Sequence, residues 1–502
     1  MGLLGLKSFL DEPKLFCTQL VNVEGAFMTN SVARPESLSL AGGQPASPLG
    51  YYSWTLGQAA RDPLYILVVI YIFFPYFSNV VVGDPVRGQA LVGYVNTVAG
   101  VIMALTVPFL GAIADKTGRL KPWLLTTTLV VSACSFALWW VRPYTLQQGG
   151  GLYAVLAALI LMNVAFAYAE VFHNAMLPRI APSDKAGLIS GLAFALGNFG
   201  GVSLMLLVLL AFALPGTVSV SWIADTPWFG IDQTSHQQDR IVGPIASVWL
   251  LLLTLPVLMF TPDAKRSALS FRQSAVAGVA DVWQTARKLK DYSNVARYLL
   301  ARMFFNDGMV GVLVFGGIYA SGVFGWDSAE LLIFGLCSST SAMLGAYFGG
   351  RFDDLLGSKR TLMIATCASA VIFLFMLSIA PGRVLFVVSV GSEPFWSLPF
   401  FNSPAELLYF VTNQIFAVFF VTSLSTSRTL MARISPPDMS AQFFALYGLS
   451  GSVTAFLAPL MVATVTDFSG SARLGMGALI VLIVLGVLLL AGVTQEQARD
   501  RH

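Results

Sequence analysis

The fold is decided by residues 111–122, GAIADKTGRLKP. An apolar run of about 20 residues precedes this stretch and another follows it, so the stretch predicts a tight turn between two membrane-crossing helices. The turn carries charges of both signs and glycines at fixed offsets. It returns, altered, at residues 350–360 as GRFDDLLGSKR. Two copies of one charged turn, about half a chain apart, predict a membrane transporter built from two similar halves.

The composition excludes a soluble enzyme. The chain has 502 residues, of which 56% are hydrophobic and only 11% are charged, against about 25% charged in ordinary soluble domains. Because lipid offers no hydrogen-bond partners, membrane spans must be helices or closed barrels, and continuous apolar runs without alternation favour helices. Twelve segments are long and apolar enough to span a bilayer: 57–82, 90–111, 122–141, 152–174, 186–213, 243–261, 298–321, 329–349, 360–380, 405–427, 441–465 and 473–493.

A second repeated segment supports the duplication. The fifth apolar segment is preceded by RIAPSD at 179–184, and the eleventh is preceded by RISPPD at 433–438. The two copies have nearly the same separation as the two charged turns. We therefore predict an all-α membrane protein with twelve transmembrane helices in two pseudo-symmetric six-helix bundles. The predicted domains are a disordered cytoplasmic tail (1–54), an N-terminal bundle (55–261), a cytoplasmic central loop (262–296), a C-terminal bundle (297–494) and a cytoplasmic tail (495–502).

The placement of Lys and Arg predicts the orientation in the membrane. The net charge is only +3, but most basic residues lie on the side that carries the charged turns, and the opposite side holds few: Arg87, Arg142, Arg240, Arg383 and Arg473. The positive-inside rule then places the charged turns and both termini in the cytoplasm. These charges need no nucleic-acid partner to explain them. We expect an integral, multi-pass protein of a bacterial inner membrane.

No metal site or cofactor is predicted. The four cysteines are far apart and three of them fall inside predicted spans, which is typical of buried apolar cysteine. Three histidines are too few for a histidine-rich metal centre. The sequence also has no glycine-rich turn followed by Lys and Ser or Thr, so we do not expect pumping driven by a nucleotide.

The charged turns predict a conformational latch between the halves. A carboxylate near a helix N-terminus is stabilised by about 0.3–2 kcal/mol. We expect Asp115 to face the start of the eleventh helix and Asp354 to face the start of the fifth. Such contacts can exist only while the halves are closed on the cytoplasmic side. The residues assigned to this latch are Gly111, Asp115, Gly118, Arg119, Asp184, Asp354, Gly357, Lys359, Arg360 and Asp438.

The charged turn resembles the signature of the major facilitator superfamily, with Ser358 in the second copy where the first has Arg119. Further stretches resemble the vacuole-effluxer-like branch of that superfamily: FPYF at 74–77, HNAMLP at 173–178, GNFGG at 197–201 and NDG at 306–308. The similarity runs from about residue 55 to the end. It implies the major facilitator fold. It also implies a relation to fungal vacuolar amino-acid exporters.

One difference from that branch limits which of its functions the resemblance implies for this chain. Gln58 and Arg61 stand where the branch usually has an Asp and an Asn near the start of helix one. Amino-acid export is therefore not carried over to this chain.

Polar residues inside predicted spans are candidate pathway residues, since lipid makes such residues costly. The resemblance implies that helices one, four, seven and ten line a central cavity. Glu170 and Asp307 are the candidate proton or cation sites, because a carboxylate held away from water binds a proton more readily. The alternatives for both carboxylates are headgroup-level caps or an internal ion pair with Arg302. The residues assigned to the pathway are Arg61, Asp62, Asn163, Glu170, His173, Asn174, Arg302, Asn306, Asp307, Asn413 and Gln414.

Arg61 and Asp62 allow two interpretations. They anchor helix one at the inner headgroups, or they close the inner mouth of a pathway.

We predict a monomeric secondary active transporter that moves a small polar or amphiphilic solute by alternating access, coupled to H⁺. A Na⁺-coupled symporter of a sugar or another organic solute stays open as an alternative. A non-transporting membrane scaffold or sensor is the alternative from another class. An enzyme is not expected, because His173 near Glu170 is the nearest approach to a catalytic set and two residues on one helix do not make one.

Overall fold

The computed structural model describes residues 38–39, 43–117, 119–143, 150–182, 185–218, 223–263, 273, 287, 291–391, 393–394, 396, 399–434, 446–448, 450–451 and 453–494. Most of the predicted N-terminal tail and central loop, and the whole C-terminal tail, lie outside these residues.

The described part of the first half contains six apolar helices. They are α1 (Pro48–Val81), α2 (Pro85–Thr117), α3 (Lys121–Ala137), α4 (Gly151–Ile180), α5 (Ala186–Val208) and α6 (Val242–Phe260). A 3-10 turn at Leu138–Trp140 extends α3, and a π-helical turn at Leu209–Ala213 extends α5. The short helix Gln237–Arg240 leads into α6.

The described part of the second half repeats this arrangement. Its helices are α7 (Ser293–Phe324), α8 (Ser328–Leu356), α9 (Ser358–Leu377), α10 (Pro404–Ile434), α11 (Leu457–Ser469) and α12 (Ala472–Ala491). A small antiparallel hairpin of β1 (Arg383–Val384) and β2 (Val388–Ser389) lies between α9 and α10.

The predicted spans are confirmed. Within the described residues, eleven helices are long and apolar enough to cross a membrane, and α11 is a shorter apolar helix. Helical residues at 446–448 and 450–451 precede α11 and belong to the same predicted segment. Eleven of the twelve predicted segments therefore coincide with a helix of spanning length, as continuous apolar runs require in lipid. In the remaining segment, 441–465, the described residues are helical except at the turn 454–456.

The predicted start of α1 is wrong. The helix begins at Pro48 rather than near Gly57, so the last residues of the predicted tail 1–54 are helical. Ser47 is the N-cap and accepts a hydrogen bond from the Gly50 N–H, and Pro48 occupies the first turn, where its missing N–H costs nothing. Thr261, just after α6, donates a hydrogen bond to the Gly50 carbonyl at 2.9 Å. The tertiary contact extends the helix beyond its apolar run.

The middle of α1 is irregular. Two π-helical segments, Tyr65–Tyr71 and Phe77–Val81, interrupt the α-helix. Between them Ile72 has φ −122° and ψ −66°. Pro75 follows within one turn, and a proline inside a helix removes a hydrogen bond and clashes with the preceding turn. The extra backbone residue in each π turn rotates the outer part of α1 relative to its start.

The two halves meet through small residues. A Cβ added at Gly93 of α2 would lie 2.6 Å from the Cβ of Ala463 on α11, and one added at Gly100 would lie 2.8 Å from the Phe456 backbone. On α7, Gly317 approaches the carbonyl of Ile70 on α1 in the same way, at 2.5 Å. Such residues let helix backbones approach closely where lipid supplies no hydrophobic drive.

The bundle has two ends, which differ in the connections they carry. The charged-turn end carries the connections from α2 to α3 and from α8 to α9. The opposite end carries the connections from α1 to α2, from α7 to α8 and from α11 to α12. The close contacts at Gly93 and Gly317 lie on the side of the opposite end, because α2 starts there and α7 finishes there.

Candidate functional site

A polar network joins α1 to α4 on the charged-turn side of the membrane centre. The Arg61 Nη2 atom lies 3.8 Å from the Glu170 carboxylate and donates a hydrogen bond of 2.7 Å to the Gln58 side-chain carbonyl. The Gln58 amide in turn donates to both oxygens of Asp62, at 2.8 and 2.9 Å. Three- and four-residue spacing puts these α1 side chains on one helix face.

Exposure divides this network into two parts. The Arg61 side chain is 4% exposed, whereas that of Glu170 is 47% exposed. A guanidinium removed from water is stable only with a compensating anion or hydrogen bonds. The Arg61 guanidinium carbon also lies 5.7 Å from the ring centroid of Phe166. Of the two interpretations of Arg61, an anchor at headgroup level does not fit a buried side chain.

His173 links the same two helices through packing. Its ring is 1% exposed and stacks on Trp54, with centroids 4.5 Å apart and planes 6° apart. His173 Nε2 lies 2.8 Å from the Trp54 carbonyl, and because a carbonyl only accepts, Nε2 carries the proton. Trp54 Nε1 donates back to the His173 carbonyl at 2.8 Å. Gly57 leaves room for the ring, since an added Cβ would lie 2.6 Å from His173 Cδ2. Trp54 was missed because the sequence places it in the tail.

Asp307 and Arg302 form a second group on α7. Asp307 is 7% exposed and accepts a hydrogen bond of 3.0 Å from the backbone N–H of Ala458, at the first turn of α11. A carboxylate there is favoured by the helix dipole. Arg302 donates to the Tyr447 carbonyl at 2.9 Å and to Ser450 Oγ at 2.6 Å. The guanidinium carbon also lies 3.7 Å from the Tyr447 ring centroid. Among the residues described, no ion pair joins Arg302 to Asp307.

The other predicted pathway residues are dispersed. Asn163 of α4 donates to Asn96 of α2 at 3.1 Å. Asn413 of α10 donates to Ser338 Oγ of α8 at 2.8 Å, and neighbouring Gln414 accepts from Ser341 at 3.1 Å. These are contacts within one half. Of the two remaining predicted residues, Asn306 is half-buried and Asn174 is exposed.

The predicted latch lies largely outside the described residues. The parts of the latch that the structure does not describe are Gly118, Asp184 and Asp438, the side chains of Asp115 and Asp354, and the surroundings of Gly111. Of the rest, Arg119 and Arg360 are exposed, Gly357 ends α8 with φ 83°, and Lys359 Nζ donates to the Ala491 carbonyl at 3.0 Å. The latch stays a prediction.

A neighbouring ion pair was missed. Arg433, at the end of α10, lies 3.7 Å from the carboxylate of Asp353, which is 6% exposed. The signal was present in the sequence, because Arg433 opens the repeated segment at 433–438 and Asp353 lies in the second charged turn. The pair ties α8 to α10 within the second half.

Hydrogen bonds between the halves close the opposite end. Gln89 of α2 is fully buried and donates to Thr466 Oγ1 at 2.9 Å and to the Ala472 carbonyl at 3.0 Å. Tyr94 donates to Asp467 at 3.1 Å. These bonds, here called the opposite-end seam, join α2 to α11 and α12. Sequence reasoning missed them because the partners are far apart along the chain and no local pattern marks them.

A further bond of the opposite-end seam joins the start of α8 to the short helix Gln237–Arg240 before α6. Ser328 donates to the carboxylate of Asp239. The other oxygen of Asp239 lies 2.9 Å from Nδ1 of His236. The seam therefore spans both flanks of the interface between the halves.

The comparisons with known proteins agree with this architecture. The family described as "Vacuole effluxer Atg22 like" matches residues 79–502. The chain belongs to this family. An uncharacterized MFS-type transporter of Bacillus subtilis, YxiO, is 22% identical over 457 residues, covering 89% of this chain and 95% of that protein. This chain is thus an MFS-type transporter and an integral multi-pass membrane protein, and it is not an enzyme.

Two other comparisons, one with a curated protein and one with a solved structure, differ in what they add. Autophagy-related protein 22 of Cryptococcus neoformans is 24% identical over 315 residues, which is 62% of this chain but only 51% of that protein. The transporter thus matches about half the length of this fungal relative. A solved D-xylose-proton symporter superposes with a TM-score of 0.63 at 12% identity, covering 90% of this chain and 98% of that one. This likeness confirms the major facilitator fold predicted from the charged turns.

Proposed function

We propose that the transporter moves a small polar or amphiphilic solute by alternating access and couples that movement to H⁺. The observation that carries the proposal is the Arg61–Glu170 pair. It joins a cation that is 4% exposed to a carboxylate that is 47% exposed, at 3.8 Å. Solvent can therefore deliver a proton to Glu170, and protonation of Glu170 would remove the anion that faces the buried Arg61 guanidinium.

Protonation of Glu170 would redistribute charge within the network. Loss of the Glu170 anion leaves Arg61 with a buried positive charge, and such a charge requires compensation. Gln58 offers it, because its carbonyl accepts from Arg61 while its amide donates to Asp62. The proton thus changes how α1 is held against α4, the two helices that the family resemblance places beside the central cavity.

The opposite-end seam supports alternating access. The positive-inside rule makes the charged-turn end cytoplasmic, so the form described is one closed toward the outside by Gln89, Tyr94 and Ser328. Glu170 lies on the cytoplasmic side of the closed seam, where it would exchange its proton with the cytosol. Opening the seam would have to break these bonds, and the predicted latch of Asp115 and Asp354 would hold the alternate form.

Asp307 is the second proposed ion site. It is a buried carboxylate among the assigned pathway residues, and its hydrogen bond to the Ala458 N–H also stabilises the start of α11. Its removal therefore affects both coupling and the start of α11. Glu170 has no such backbone partner among the described residues, which makes it the cleaner position for a test.

The test is solute-driven proton movement in proteoliposomes. A thermal-shift screen of metabolites first identifies a solute that raises the melting temperature by binding the folded protein. Glu170→Gln is then expected to abolish pH-dependent transport while the protein stays folded, and Asp307→Asn to do the same with a lowered melting temperature. Glu393→Gln, the same chemical change in an exposed loop, is the matched control and should leave coupling intact.

The outcomes separate the candidate ions. Full pH-driven transport by Glu170→Gln would refute the assignment of Glu170. Transport that follows a Na⁺ gradient, with no proton movement in the unaltered protein, would replace H⁺ by Na⁺ as the coupling ion. A bacterial inner-membrane location, cytoplasmic termini and a monomeric state belong to the same proposal.

A further inference from the structure

A cavity lies at the opposite end, between the halves. It has a volume of about 370 Å³ and is formed by the start of α2, the last turns of α7 and the connection from α11 to α12. Small-molecule sites in proteins commonly measure about 300–1,000 Å³. The cavity is separate from the Arg61–Glu170 network, which lies on the charged-turn side, and none of the assigned pathway residues lines it.

Arg473 supplies the charge of this cavity. It is the charged side chain among the described lining residues. Its Nε donates to the Tyr319 hydroxyl at 3.4 Å, and its guanidinium carbon lies 5.9 Å from the Phe386 ring centroid. Within the described part of the chain no carboxylate comes within ion-pair distance of Arg473, and its two terminal nitrogens make no hydrogen bond.

The walls of the cavity are apolar. Pro85 and Val86 come from α2, and Ile318 and Val323 come from α7. A guanidinium presents parallel N–H donors that match the two oxygens of a carboxylate. A single guanidinium next to apolar walls suits a ligand with one negative charge and an apolar body. A dianion such as phosphate would bury a second charge without compensation, which is costly.

We propose that this cavity binds a small organic monocarboxylate, held by Arg473 and Tyr319 with its apolar part against α2 and α7. The site touches both halves, since α2 belongs to the first and α7 and Arg473 belong to the second. It also adjoins the Gln89 bonds of the opposite-end seam, because Gln89 is a lining residue. A ligand that contacts both halves binds the closed seam better than an open one, and therefore stabilises the closed form.

The test is calorimetric titration of the purified full chain in detergent with benzoate, and with benzamide as the uncharged match. We expect benzoate to bind and benzamide to bind at least tenfold more weakly. Arg473→Gln should weaken benzoate binding at least tenfold. Arg383→Gln is the matched control, because Arg383 is an exposed arginine at the same end, and it should bind benzoate as the unaltered protein does.

A second variant guards against misfolding of Arg473→Gln. Val323→Trp fills the cavity without removing the charge and should also prevent benzoate binding. Equal benzoate binding by the unaltered protein and by Arg473→Gln would overturn the proposal, as would no binding at all. The measurement involves no flux. Glu170→Gln should bind benzoate normally, so failure of the proton-coupling proposal and failure of this one are distinguishable.

Discussion

Substitution of Gly93 by alanine should open the opposite end of the transporter. The added Cβ would lie 2.6 Å from the Cβ of Ala463 and 3.0 Å from the carbonyl oxygen of Pro459. Carbon atoms in normal contact are about 3.5–4.0 Å apart, so α2 and α11 must separate by about 1 Å. These contacts join the two halves, so the clash exists in the closed form and is relieved when the seam opens.

The expected magnitude follows from overpacking. One extra methyl group in a tightly packed contact costs about 1–3 kcal/mol. Because this cost applies to the closed form, it shifts the ratio of open to closed molecules by about 5- to 150-fold. The fold of each half should survive, since the described close contacts of Gly93 are with residues of the other half.

The assay is a distance measurement between spin labels. Cysteines introduced at Arg87 and Arg383, which are exposed at the opposite end in different halves, carry the labels in a background without native cysteines. Gly93→Ala should increase the population with long distances. Gly191→Ala is the control, because a Cβ at Gly191 meets no atom within 4 Å. An unchanged distance distribution in folded Gly93→Ala, or an equal change in Gly191→Ala, would refute the reasoning.

Two further predictions concern stability. Gly57→Ala should displace His173 from its stacked position and lower the free energy of unfolding by about 1–3 kcal/mol. Gly350→Ala is the control and should not lower it, because a Cβ added at Gly350 meets no atom within 4 Å. Equal thermal unfolding of the two variants would contradict the prediction. The hydrogen bond to Asp239 raises the pKa of His236 above its ordinary value of 6.5, against an opposing effect of burial. The stabilisation is therefore complete below about pH 6.5 and is lost as the pH rises through the raised pKa. The melting-temperature deficit of His236→Gln should be largest at low pH and shrink as the pH rises. A deficit independent of pH would show that the positive charge of His236 contributes nothing to stability.

Local patterns account for what the sequence predicted well. The twelve spans follow from runs of apolar residues, because lipid contact acts on each helix separately. The duplication follows from repeated turns at 111–122 and 350–360. The start of α1 was misplaced because Pro48 to Leu56 is held by contacts with distant residues, such as Thr261, rather than by lipid.

The candidate site was only partly predictable. Glu170 and Arg61 were named because charged residues inside a span are costly. Their pairing was not predicted, because helix rotation and the packing of α1 on α4 determine which polar side chains meet. His173 was named as a pathway residue, and the structure places it in a stacked contact with Trp54. Spacing along one helix identifies a face but not the neighbour that covers it.

The sequence by itself determined the twelve helices, the two repeats and the family resemblance, since each depends on the composition of a short segment or on a comparison of two segments. Only the tertiary structure decided the opposite-end seam, in which Gln89 meets Thr466 across 377 residues of chain. It alone also decided the cavity beside Arg473. The physical reason is that contacts between helices depend on their relative rotation and depth, and many sequences with the same apolar pattern would pack with different polar partners.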